Sequence, residues 1–135
     1  LARAALPFMR ELRGGQIVNV SSIAGFLSMN ELAVYGAAKS FLNAWSLSLA
    51  EEVRADGVQV QLLCPGYTRT EFHDQDSFAG FDKSQVPDDV WMDAEAVVAC
   101  SLAGVAARQQ VVVPGQHNAQ VARAGLAAFG ELVQE

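Results

Sequence analysis

Two short apolar runs, residues 17–20 (I-V-N-V) and residues 58–64 (V-Q-V-Q-L-L-C), flank a stretch in which apolar side chains recur at three- and four-residue steps. The runs carry the β-branched residues that favour strands, and the stretch between them has the period of a helix. Strand, helix and strand in this order form a βαβ unit, whose crossover makes the two strands parallel. That constraint sets the fold class as α/β with a parallel sheet. It also brings the carboxyl ends of both strands to one edge, where open α/β sheets hold their ligands. Ser22 and Pro65 are thereby predicted to emerge side by side.

The first strand is read as buried, and it delivers Ser21 and Ser22 at its end. A loop at 23–28 follows, in which Gly25 is expected to supply conformational freedom. A helix over about 31–55 has Asn30 as its expected cap, with Ala38, Phe41, Leu42, Trp45, Leu49 and Val53 as the face turned to the sheet. Ala37, Ala44 and Leu47 widen that face beyond what one packing surface needs. Asp56-Gly57 ends the helix. Tyr35 and Lys39 lie one turn apart on the same face of this helix. A hydroxyl at a strand end, with a phenol and an ammonium on the next helix, is a proton-transfer set. A neighbouring ammonium favours a phenolate, and an acid or base works best near its own pKa.

Before the first strand, residues 1–13 read as a helix with Leu1, Ala5, Leu6, Phe8, Met9 and Leu12 on an apolar face, weakened by Pro7 and stopped by Gly14-Gly15. After the second strand, residues 71–92 mix Phe72, Phe78, Phe81 and Trp91 with aspartates and show no clean period. A surface segment with a short helix is expected, its aromatics either lining an apolar pocket or tucking the segment onto the core. His73 reads as a solvated loop residue. Asp93 is the expected cap of a helix at 94–107, with Ala96, Val97, Cys100, Leu102 and Val105 among its apolar positions. Residues 111–113 form a short buried strand, and a last helix at 117–130 is expected to use Val121, Leu126 and Phe129.

Ser22, the Y-G-A-A-K run at 35–39 and the preceding G-G-Q-I-V-N-V-S-S resemble the active-site signature of the short-chain dehydrogenase/reductase family. The P-G-Y-T-R-T run at 65–70 resembles the P-G-x-V-x-T segment of the same family, with Thr68 in place of the usual aliphatic residue. The likeness covers nearly the whole chain and is most specific over residues 14–70. It implies a Rossmann-type doubly wound sheet and reversible hydride transfer between NAD or NADP and a secondary alcohol or ketone. By the same resemblance Ser22, Tyr35 and Lys39 are the catalytic set. Tyr35, Lys39, Pro65, Gly66, Thr68 and Thr70 are the cofactor-binding set, and a substrate-covering loop lies at 71–92. The cofactor choice is not readable from these residues, NADP being favoured. The family also implies that the Tyr35 helix and the helix before it form a dimer interface, so a homodimer or homotetramer is expected. V-V-V-P-G-Q-H-N at 111–118, together with T-E-F-H at 70–73, resembles a bacterial branch of the family.

The chain opens on Leu1 in what reads as mid-helix, which suggests the carboxyl-terminal half of a longer domain. On that expectation, the amino-terminal βαβ unit with its glycine-rich phosphate loop lies upstream, and residues 1–135 are one partial domain. Composition bounds the alternatives. With 51% hydrophobic and 18% charged residues the chain is a folded domain rather than a disordered one. A net charge of −6 without a basic block argues against nucleic acid or an anionic membrane as partner. No run is long and apolar enough for a membrane span, so a cytoplasmic protein is the default. Cys64 and Cys100 have no metal or redox spacing and read as buried small hydrophobes. Two histidines far apart make no metal site, and Ser22 stands in no G-x-S-x-G elbow of a hydrolase. The remaining rivals are a non-catalytic dinucleotide-fold or interaction module, and an epimerase or dehydratase of the wider superfamily.

Overall fold

A computed structural model describes residues 1–74 and 81–133. In chain order these form α1 (Ala2–Glu11), β1 (Gly15–Val20), α2 (Ala33–Glu52), β2 (Val58–Leu63), β3 (Thr68–Arg69), β4 (Met92–Asp93), α3 (Ala94–Ala106), β5 (Val111–Val112) and α4 (Gln116–Glu131). Short 3-10 turns lie at Ile23–Phe26, Arg54–Asp56, Glu71–Asp74, Lys83–Gln85 and Asp88–Val90. Phe78 and Gly80 of the aromatic segment fall outside the described residues. No described helix is long and apolar enough to cross a membrane.

The main sheet has the order β1-β2-β5 with every pair parallel, as the βαβ pattern requires. Gly57 turns the chain from α2 into β2 with φ +76°, a left-handed conformation that glycine adopts without steric cost. Helices cover both faces of β2. On one face Leu6 of α1, Leu49 of α2 and Val53 just after it close over Val58 and Val60 of β2, with Met9, Ile17 and Trp45 packed around them. On the other face Val97 of α3 meets Leu63 and Val112, with Met92 and Cys100 alongside. This is the doubly wound arrangement of a Rossmann-type sheet.

The glutamines of β2 are part of the second interface. Gln59 Nε2 donates to Val105 O at 3.1 Å, and fully buried Gln61 exchanges hydrogen bonds with Ser101, giving Nε2 to its carbonyl and accepting its hydroxyl at 2.6 Å. Buried amides are retained when their polar atoms are matched in this way.

Several sequence expectations need correction. β1 is half exposed rather than buried: Gln16, Val18 and Val20 face outward, because β1 is an edge strand and no described element covers that face. Asn30 does not cap α2; Leu32 stands at its N-cap, without a side-chain cap bond. Asp93 is the N-cap of α3 but likewise makes no cap bond, its carboxylate lying 3.6 Å from Arg69 Nε instead.

The buried stripe of α2 runs through Gly36, Asn43, Ser46 and Leu49, while Ala38 and Phe41 are exposed. The helix is rotated toward the polar side chains of the strand, which need partners: Asn19 Nδ2 donates to Ser46 Oγ at 3.0 Å. In α4 the buried positions are Asn118 and Ala122, and Leu126 and Phe129 are exposed. Small residues win there because the helix lies directly on the Ile23–Phe26 turn, where a Cβ on Gly125 would come 2.1 Å from Phe26 O. In the short strand β5, Val112 is buried and Val111 exposed.

Candidate active site

The parallel pairing of β1 with β2 continues past both strand ends and sets the site. Ser21 N donates to Leu63 O at 2.7 Å, and Ile23 N to Pro65 O at 3.0 Å. Ser22 and the 65–70 segment are therefore held side by side at the carboxyl edge of the sheet, as the crossover argument anticipated. Ser22 is extended, with φ −164° and ψ 157°, and its Oγ accepts from Ala24 N at 3.1 Å. The hydroxyl thus starts the Ile23–Phe26 turn.

That turn is pressed onto α2. A Cβ on Gly25 would lie 2.5 Å from Asn43 Nδ2 and 2.9 Å from the carbonyl carbon of Lys39. Gly25 is not among the residues with positive φ, so it is there for want of space rather than for the conformational freedom expected of it. Ser40 Oγ, donating to Gly25 O at 2.9 Å, tightens the same contact.

Lys39 reaches back over this junction. Its Nζ donates to Val20 O at 3.3 Å and stands 5.6 Å from the centroid of the Tyr35 ring. Burial holds the Lys39 ammonium below the ordinary lysine range, with the neighbouring Cys64 opposing. The Tyr35 ring in turn lies 6.2 Å from that of Phe72. Tyr35 and Lys39 are thus brought together at the end of β1, beside the segment that carries Ser22.

Beneath them is a polar network that the sequence reading missed. Ser21 Oγ donates to Asn43 Oδ1 at 2.6 Å and lies 3.2 Å from Lys39 O, and Cys64 Sγ is 3.8 Å from the same Asn43 oxygen. Cys64 is completely buried, as expected of it, and burial pushes its thiol up to about 12, against the pull of the Lys39 ammonium and a hydrogen bond from the Ser22 backbone. Cys100 is only half-buried. Asn43 lies one turn beyond Lys39 on the same stripe, which was the available signal; an asparagine there reads as a solvated position until the strand end is placed against it.

The 65–70 segment leaves β2 as expected, half-buried through Thr68. Thr68 Oγ1 donates to Gly66 O at 3.2 Å, and Thr70 Oγ1 accepts from Phe72 N at 3.3 Å. Both hydroxyls are therefore spent on shaping their own loop. Within it β3 pairs with β4 in parallel, and Arg69 holds Asp88, in the turn before β4, at 2.7 Å. Tyr67, His73, Phe81 and Trp91 form one aromatic cluster, Tyr67 stacking on Phe81 with centroids 5.7 Å apart. His73 is half-buried within these rings rather than solvated, since Phe72, Phe81 and Trp91 pack around it. An open groove of about 580 Å³ runs past this cluster along Arg69, Thr70, Pro87 and Trp91.

Comparison with known proteins agrees with this fold. The family model for short chain dehydrogenase matches residues 1–78. The chain belongs to the short-chain dehydrogenase family. An uncharacterized oxidoreductase of Myxococcus xanthus is 39% identical over 75 residues, 56% of this chain and 30% of that protein. A ketoacyl reductase of Nostoc, HetN, is 39% identical over 67 residues, 50% of this chain and 23% of that protein. Among solved structures, a short-chain dehydrogenase from Sphingobium yanoikuyae in complex with NADPH superimposes with a TM-score of 0.77 at 28% identity, covering 99% of this chain and 52% of that one. This short-chain dehydrogenase chain thus spans about half the length of the solved structure it matches.

Proposed function

We propose that the protein is an oxidoreductase that moves a hydride between NAD(H) or NADP(H) and a secondary alcohol or ketone, with Ser22, Tyr35 and Lys39 as its catalytic residues. The observation that carries this reading is the meeting of Lys39 and Tyr35 over the end of β1, next to Ser22 and to the start of the 65–70 segment. The groups suit the nicotinamide end of a dinucleotide: an ammonium and a phenol for ribose hydroxyls, and the backbone of the turn through Pro65, Gly66, Thr68 and Thr70 for the carboxamide and phosphate side. When bound, the cofactor supplies or accepts the hydride.

In the reducing direction, Ser22 Oγ donates a hydrogen bond to the substrate carbonyl oxygen and fixes its position. Negative charge grows on that oxygen as the carbonyl carbon is reduced, so donors already aimed at it stabilise the transition state more than the ground state. The phenolic proton of Tyr35 passes to the oxygen and leaves a phenolate beside the Lys39 ammonium. In the oxidising direction the same groups take the proton back. NADPH in the Sphingobium complex supports a nicotinamide dinucleotide here. The exposed residues of α2, Phe41 and Leu47 among them, support pairing of this helix with a second copy, as a homodimer or homotetramer.

The test is Tyr35→Phe in the protein as its gene encodes it, assayed by NAD(P)H absorbance against a panel of ketones. Turnover is expected to vanish while cofactor affinity falls only slightly, by the loss of one ribose contact, and normal turnover by the variant would refute the assignment. Lys39→Ala is expected to weaken both cofactor binding and rate. A second reading, a non-catalytic dinucleotide-fold module, is favoured by the uncovered apolar face of β1 at Val18 and Val20. Catalysis by the wild type separates the two.

A further inference from the structure

The run V-V-V-P-G-Q-H-N takes no part in the chemistry above, yet it ends on a deeply buried polar side chain. Asn118, 3% exposed, stands in the first turn of α4. Its Nδ2 donates to Pro114 O at 2.8 Å and lies 3.5 Å from Met92 Sδ, while its Oδ1 is buried with no hydrogen-bond partner among the described residues. A leucine would fill a similar volume without burying an unmatched oxygen, so the amide is costly unless something else requires it.

What it touches is Gly66. A Cβ there would lie 2.2 Å from Asn118 Oδ1 and 2.6 Å from its Cγ, so the carboxamide occupies the place of the missing side chain. Gly115 brings its own backbone to the same point, where a Cβ would be 3.1 Å from Met92 Sδ and 3.5 Å from Asn118 Nδ2. The 65–70 segment, the start of β4 and the turn after β5 therefore meet on one asparagine.

We propose that Asn118 is a positioning residue for the cofactor-binding segment: anchored to Pro114, its carboxamide braces Gly66 from behind and holds the 65–70 backbone in the form that receives the nicotinamide end. This rests on the functional reading above. It assigns a role to the P-G-Q-H-N run and a reason for glycine at position 66 other than turn geometry. Asn118 acts through the loop and touches neither substrate nor cofactor.

The experiment is a fluorescence titration of the protein as its gene encodes it with NADPH and NADH, and a calorimetric one with ADP-ribose and its 2′-phosphate, which lack the nicotinamide. Asn118→Ala is expected to weaken dinucleotide binding by about tenfold, the scale of one hydrogen-bond-sized interaction, while ADP-ribose binding stays at the wild-type value. Gly66→Ala should weaken dinucleotide binding further. The double variant should recover part of that loss, because removing the carboxamide makes room for the new Cβ. Unchanged dinucleotide binding by Asn118→Ala, or an equal loss for both ligand types, overturns the proposal. Should Asn118→Ala not fold, Gly66→Ala probes the contact from the other side: wild-type dinucleotide affinity in that variant overturns the proposal, and a selective loss supports it. A wild type that binds neither dinucleotide overturns the functional reading itself, together with this inference.

Discussion

Gly25→Ala is the substitution that most directly tests how the site is assembled. The added Cβ would stand 2.5 Å from Asn43 Nδ2, 2.9 Å from the Lys39 carbonyl carbon and 3.0 Å from its oxygen. Carbon atoms in contact settle at about 3.5–4.0 Å, so the Ile23–Phe26 turn must move off α2 by roughly half an ångström or more. The Lys39 atoms are helix backbone and cannot swing aside. Overpacking of this kind costs about 1–3 kcal/mol. Against it stands a gain of about 0.4–1 kcal/mol, because alanine leaves the unfolded chain fewer conformations. The net expectation is a loss of about 1–2 kcal/mol.

The displacement has a second consequence, because Ser22 begins the turn that moves while Tyr35 and Lys39 ride on the helix it leaves. The rate should therefore fall by more than the stability loss alone accounts for, with the variant fully folded at the assay temperature. Urea unfolding gives the stability change, and steady-state kinetics of the folded variant gives the rate. A variant as stable and as active as the wild type would refute the close packing of this turn. It would return Gly25 to the role of a freely chosen loop residue.

Cys64 sets a pH dependence. Its thiol is raised from 9.0 to about 12 in the folded state, so the folded protein holds this proton longer than the unfolded chain does. The contribution is fully present below pH 9.0 and is lost as pH rises toward 12. Lys39 has the opposite sign: its lowered pKa makes the charged form a cost, which is relieved as pH rises toward 10.5. Iodoacetamide at about pH 8 should therefore spare Cys64 in the native protein and modify it only after unfolding; rapid native labelling, located by mass spectrometry, would contradict its burial. Leu62, 1% exposed on β2, should cost about 2–5 kcal/mol on truncation to alanine, read as a shift of the urea midpoint at constant slope. A loss near zero would mean that β2 does not carry the core.

Where position depends on chain spacing, the sequence was sufficient. The β-branched runs either side of a helical period required parallel strands, and parallel strands bring Ser22 and Pro65 to one edge whatever the packing details. Tyr35 and Lys39 share a helix face by geometry alone. The periods of α1, α3 and α4 placed those helices to within a few residues, because apolar spacing is a local property.

What the sequence left open is which face of each helix meets the sheet, and that is a matter of partners far apart in the chain. Asn43 and Ser46 are buried because Ser21, just past the end of β1, and Asn19 on β1 need hydrogen-bond partners, whereas apolar Phe41 is exposed. His73 reads as a solvated loop residue until the rings of Tyr67, Phe81 and Trp91 close around it. Gly25 and Gly66 look like turn glycines in sequence, yet each is fixed by a distant asparagine, Asn43 and Asn118, standing where a side chain would be. Local spacing could place Ser22, Tyr35 and Lys39 on their elements, since it fixes their order and period along the chain. Only the tertiary structure decided what braces them, because close packing is set by atoms that the sequence keeps apart.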